Sequence, residues 1–137
     1  KVGFVECKAP GKQLRPLQVH RKRQLEGLGF LVYCLDSPEA IGAATIKLLT
    51  EMVRKNNIEI DSISHAIFTL TNDLNADFPA KYARVNLKWK NVPMMCFNEL
   101  DVPNSLQKCL RVLIVINCGE GFVPEFVYLD GADVLRK

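Results

Sequence analysis

Lys108-Cys-Leu-Arg-Val-Leu-Ile-Val-Ile-Asn117 is the longest strand candidate in the chain. It is rich in β-branched residues, has no Gly or Pro, and is followed at once by Gly119 and Gly121, which break it. Alternation along it places Cys109, Arg111, Leu113 and Val115 on one face. An unpaired guanidinium on such a face is costly. Arg111 therefore either meets an acidic residue of its own protein or is held for an anionic ligand, and Glu99, directly after the apolar run that holds Cys96, is the candidate partner.

Upstream, the clearest element is a helix. Ser37-Pro38-Glu39 supplies an N-cap, a proline at the first helical position and an early acid, and Ile41, Ala44, Leu48, Leu49, Met52 and Val53 recur at helical spacing. Arg54 and Lys55 suit the negative end of the helix dipole, and Asn56-Asn57 stop it. Strands are expected at Gly29 to Leu35, His65 to Leu70 and Val92 to Phe97, with a short helix over Pro79 to Leu87. A final strand pair, Phe126 to Leu129 and Ala132 to Leu135, would turn at Asp130-Gly131. Helices and strands mix without strict alternation, which makes the fold α+β, a mixed β-sheet packed with helices.

The 137 residues are about one domain, and 48% hydrophobic content suffices for a core without disulfides. No apolar run is long enough to span a bilayer, and the chain opens with no signal-peptide pattern, so a soluble protein is expected. Five cysteines lack a paired spacing or a histidine grouping suited to metal, which points to reduced thiols in a reducing intracellular compartment, cytoplasm or plastid stroma, and to no metal site. Residues 1–24 carry seven Lys or Arg against Glu6 alone, so the net charge of +3 divides into +6 there and −3 over 25–137. That basic stretch reads as a flexible, solvated extension ahead of a domain at 25–137; a nucleic-acid arm or part of a targeting segment are the alternatives. No aromatic platform or recognition motif supports nucleic acid.

A second cluster is Phe78-Pro-Ala-Lys81-Tyr-Ala-Arg84. Lys81 and Arg84, three apart, share a helical face where like charges repel, so an anion nearby would relieve them; a solvated basic face is the plainer reading. Tyr128 and the terminal Arg136 have ordinary structural explanations of their own.

The blocks Asp73-Leu-Asn-Ala-Asp-Phe-Pro-Ala-Lys81 with Arg84, Trp89 with Val92-Pro93, Cys96 through Glu99 to Asp101-Val102, Lys108-Cys-x-Arg-Val112, and Val127-Tyr-Leu-x-x-Ala-x-Val-Leu-Arg136 resemble the trimeric bacterial-type chorismate mutases, in the same order and nearly the same spacing. The resemblance implies a homotrimeric pseudo-barrel with sites between subunits, no cofactor, and rearrangement of chorismate to prephenate in aromatic amino acid biosynthesis. It implies Arg111, Glu99 and Cys96 as catalytic residues. Arg111 would donate to the breaking ether oxygen and a carboxylate, and Glu99 would bond the ring hydroxyl with Cys96 beside it. Tyr128 would bind the side-chain carboxylate. From the adjacent subunit Phe78 would give an apolar wall, Lys81 and Arg84 cationic attraction, with Leu135 and Arg136 on a closing tail. The chain departs from the family at its first strand: where an Arg-Gly-Ala-Thr-Thr signature supplies a carboxylate-binding arginine, it reads Leu25-Glu-Gly-Leu-Gly-Phe-Leu31. Either Arg21 or Arg23 replaces that arginine, or the carboxylate is held less well; a non-catalytic member of the fold, binding a small carboxylate or regulating a partner, is the alternative.

Overall fold

The computed structural model describes residues 3–6, 31–34 and 37–136, with side chains over 37–135. The first helix, α1 (Pro38–Asn56), begins where the sequence places it. The Ser37 hydroxyl accepts from the Ala40 N–H at 3.2 Å, Pro38 opens the first turn, and Asn57 ends the helix in the left-handed region at φ 50°. Ile41, Gly42, Thr45 and Leu49 are its buried stripe.

Three strands form the main sheet: β3 (Ile63–Leu70), β4 (Met94–Asn98) and β5 (Leu110–Ile116), in the order β4-β3-β5. The central strand β3 pairs parallel with β4 and antiparallel with β5. A parallel neighbour requires a crossover, and α2 (Pro79–Asn86) provides it between β3 and β4. Phe68, Ala66, Leu49 from α1, Ala83 from α2, Trp89 and Val92 share one core cluster, so both helices cover the same face of the sheet. The observed order is that of the α+β class expected from the sequence. A separate pair, β1 (Gly3–Glu6) with β2 (Leu31–Cys34), runs parallel. It puts a strand within the stretch expected as an extension and confirms the strand expected around residues 31–34. Residues 7–30, including Arg21, Arg23 and most of the stretch aligned with the family's first-strand signature, lie outside the described residues.

Two expectations need correction. Residues 126–129 and 132–135 do not form a strand pair. Ala132–Arg136 is a 3₁₀ helix, and Asp130 and Gly131, at φ 51° and 92°, make only a turn, closed by Ala132 N–H to Leu129 C=O at 3.0 Å. Side chains rather than a ladder fasten this segment to α1. The Asn56 amide donates to Glu125 C=O at 3.0 Å and accepts from its N–H at 2.7 Å, and the Lys47 ammonium meets Asp130 at 2.7 Å. The second correction is that Cys109 does not share an open face with Arg111. β5 starts two residues later than expected, at Leu110, after Lys108 at φ 50°, and Cys109 is buried, while Arg111 and Leu113 are exposed.

α2 approaches α1 closely because position 42 has no side chain. A Cβ built there would lie 2.4 Å from the Tyr82 ring. Alanine is the better helix former by roughly 1 kcal/mol, yet Gly42→Ala should destabilise the fold by about 1–3 kcal/mol, because the Tyr82 ring has to move. Urea unfolding of the two proteins checks the sign.

Candidate functional site

The register of the sheet decides which side chains can meet. Thr69 lies opposite Phe97 on one side and Arg111 on the other, and directly opposed residues project from the same face. Phe68, opposite Cys96 and Val112, projects into the core. The face bearing Thr69 and Arg111 is therefore the one turned away from the helices.

On that face Arg111 and Glu99 form an ion pair, so the carboxylate anticipated as Arg111's partner is the one it meets. The Glu99 N–H donates to Leu70 C=O at 2.9 Å, which carries the chain past the end of β4 and returns its carboxylate over the sheet. Its second oxygen accepts from the Thr69 hydroxyl at 2.6 Å. The Glu99 side chain is 12% exposed and that of Arg111 43%, so the acid is the sheltered member and the guanidinium the reachable one. A guanidinium carries a planar fork of N–H groups, and one arm of it meets Glu99, which holds the plane while the other donors can face a ligand. Sequence reasoning missed Thr69. Nothing but its register opposite Arg111 marks it, and register is not visible in a single strand.

Arg111, Tyr128 and Leu135 also line one cavity of about 830 Å³, walled by α1, β5 and the C-terminal segment. Ile41, Leu48, Met52 and Leu110 help make most of it apolar, and Arg111, Lys108 and Tyr128 are among its polar lining residues. Cys96 is not brought to this place. It packs against the core clusters, on the opposite side of β4 from Phe97. Phe78, Lys81 and Arg84 lie on and just before α2, outside the cavity lining, so one chain presents two separate clusters of candidate residues. Arg136 closes the 3₁₀ helix, and its side chain lies outside the described residues.

The anion sought for Lys81 is internal. Asp77 accepts from the Lys81 ammonium at 2.8 Å, from the Phe78 N–H at 2.8 Å and from the Tyr82 hydroxyl at 2.8 Å. Lys81 first, then the Phe78 N–H and Tyr82, hold the Asp77 carboxyl down to about 2. Because that lies below the ordinary 3.8, the pairing stabilises the fold fully above that pH, and its contribution is lost as pH falls through about 2. Arg84 makes no hydrogen bond or ion pair among the described residues. Burial first, then Asp73, pushes the Cys109 thiol up, which suits a packing role. Among the described residues no grouping of His, Cys, Asp and Glu could hold a metal ion, and no helix is long and apolar enough to cross a membrane.

Comparison with known proteins places this geometry. Residues 30–137 match the model of the family described as chorismate mutase type I. The chain belongs to that family. It is 34% identical over 105 residues to chorismate mutase AroH of Bacillus subtilis, covering 74% of this chain and 80% of that protein. It is 41% identical over 83 residues to chorismate mutase AroH of Thermus thermophilus, covering 60% and 67%. A solved chorismate mutase from Clostridium thermocellum superposes with a TM-score of 0.68 at 47% identity, over 72% of this chain and 88% of that one. The resemblance on residue blocks is thus borne out at the level of family and fold.

The Thr69 contact can be tested directly. Thr69→Val keeps the shape but leaves one Glu99 oxygen without its donor, so stability should fall by about 1–2 kcal/mol, and Thr69→Ser should restore most of it. Denaturant midpoints for the three proteins decide this.

Proposed function

We propose that this protein is a chorismate mutase, converting chorismate to prephenate by an intramolecular Claisen rearrangement. The observation that carries the reading is the Arg111–Glu99 pair, braced by Thr69 and set on the exposed face of the sheet in a chain of this family. The family's activity, the names of the relatives and the pair's charges agree.

The rearrangement breaks a C–O bond as a C–C bond forms, within one molecule. It needs no nucleophile, metal or cofactor. What the protein can supply is a folded substrate conformation and charge placed where charge develops. Negative charge grows on the ether oxygen, and the free arm of Arg111 is the donor for it. Positive character grows on the ring, and the Glu99 carboxylate, paired with Arg111, stabilises it while accepting from the ring hydroxyl. Tyr128, which lines the same cavity as Arg111, takes the side-chain carboxylate, and the tail that carries Leu135 and Arg136 would close over it. Cys96 acts in this reading through packing beneath the Glu99 turn.

The second cluster belongs to the same reading. A homotrimer with sites between subunits would set Phe78, Lys81 and Arg84 of one chain opposite Glu99, Arg111 and Tyr128 of the next. The apolar residues left open on the sheet face, Met95, Phe97 and Leu113, at 59%, 45% and 58% exposure, support such a contact. The bacterial relatives favour a cytoplasmic setting and lend no support to a plastid.

Loss of chorismate absorbance with the purified protein, and prephenate as the product, tests the activity. Arg111→Ala should lower kcat/KM by roughly 10²–10³-fold, and Arg111→Lys should recover little, since an ammonium lacks the planar fork. Near-normal turnover by folded Arg111→Ala would remove Arg111 from the mechanism.

The shared site has its own test. Arg84→Ala and Arg111→Ala, each impaired, are unfolded together and refolded as a mixture. Mixed trimers, confirmed by mass, contain interfaces with both arginines intact, so activity should rise above either parent. Mixed trimers at parental activity would place the site within one chain.

A further inference from the structure

Lys81 and Arg84 look equivalent in the sequence, three residues apart on a short basic helix, yet their surroundings differ. Lys81 is tied to Asp77 at 2.8 Å, whereas Arg84 has no partner among the described residues. Asp77 is itself held from three directions. Its Oδ1 accepts from the Phe78 N–H, and its Oδ2 from the Lys81 ammonium and the Tyr82 hydroxyl. The Asp77 side chain is 14% exposed against 58% for Lys81, so the acid is the fixed point and the lysine the group drawn to it.

The anchor runs further. The Tyr82 hydroxyl also lies 2.6 Å from the Pro38 carbonyl oxygen, so its single proton serves two acceptors, one on α1 and one on Asp77. The Tyr82 ring sits over Gly42, where no larger residue fits. Three features of different kinds, a glycine gap, a phenol bridging two elements and a carboxylate with three donors, converge on the turn that leads into α2.

We propose that Asp77 is a positioning residue that sets the charge and place of Lys81 in the binding site, leaving Arg84 as the unshielded cation of that wall. This rests on the reading that α2 faces the substrate of a neighbouring chain. The lysine–aspartate pair presents a dipole to an approaching dianion, while Arg84 presents a whole charge. Lys81 then contributes direction, through an ammonium held in one place, and little long-range attraction. The affinity of the site is thereby lowered by Asp77, which moderates product retention as well as substrate capture, because prephenate is also a dianion.

The test is a cycle of variants read by KM for chorismate. Asp77→Asn removes the charge and keeps an oxygen for the Phe78 N–H. It should lower KM about 3- to 10-fold at low ionic strength, with the gain shrinking in about 0.5 M salt as exposed charges are screened. Lys81→Gln should then raise KM at least about threefold more in the Asp77→Asn background than in the wild-type background, because only there is the ammonium unpaired. A purely structural role for Asp77 would lower the unfolding midpoint and move KM without such coupling or salt dependence. Asp77→Ser, also neutral and able to accept from the Phe78 N–H, gives the same comparison if Asp77→Asn does not fold. Equal effects of Lys81→Gln in the two backgrounds overturn the role of Asp77 while leaving α2 at the site. A KM independent of Lys81 in both backgrounds, in an enzyme that turns chorismate over, overturns it together with the placement of α2.

Discussion

Phe68, fully buried midway along the central strand, is the point from which the rest of the arrangement is fixed. It shares one buried cluster with Leu49 of α1, Ala83 of α2 and Trp89, so its side chain points toward the helices. Alternation then turns Ile67 and Thr69 the other way. A slip of one residue would bury Thr69 and expose Phe68, and burying a large aromatic is worth several kcal/mol, so the core defends the register. The same register puts Thr69 across from Arg111 and Leu70 next to the Glu99 N–H. The polar pair on one face is therefore positioned by apolar packing on the other.

The elements that could be read from the sequence were those decided locally. Ser37-Pro38-Glu39 carries its own capping chemistry, and α1 starts there; α2 shares only the proline of the first turn, Pro79, since Phe78 at its N-cap offers no side-chain bond. The strand around Arg111 showed its period, and the pairing with Glu99 followed from one charge needing another. What escaped were features set by neighbours distant in sequence. Thr69 acquires its role only from the strand beside it. Asp77 drew no separate reading in the sequence, and its capture of Lys81 reverses the simple reading of a basic helix face. Asp130-Gly131 did give a tight turn, but a strand pair needs a sheet edge to join. The flanking residues are instead tied to α1 by Asn56 and Lys47. The resemblance set Cys96 beside Glu99 in the site, and its side chain packs against the core cluster.

The charges on the exposed face constrain how the proposed reaction can be served. Chorismate brings two negative charges, and Arg111 already spends part of its own on Glu99. Lys81 is similarly spent on Asp77. Within one chain the cavity near Arg111 adds Lys108 and Tyr128, and its remaining lining is largely apolar. A dianion held there alone would leave one carboxylate poorly matched, at a cost of about 1–3 kcal/mol for each charged group without its hydrogen bonds. Arg84 makes no hydrogen bond or ion pair among the described residues, and it sits on the other cluster. If the reaction proceeds as proposed, the balance of charge is met when Arg84 of one chain and Arg111 of another share one ligand. The stretch at 25–31, which carries no arginine, makes that second cation more necessary than in family members that have one there. On the proposed reading a neighbouring chain would supply that cation, and the open apolar face of the sheet is the surface on which it would dock.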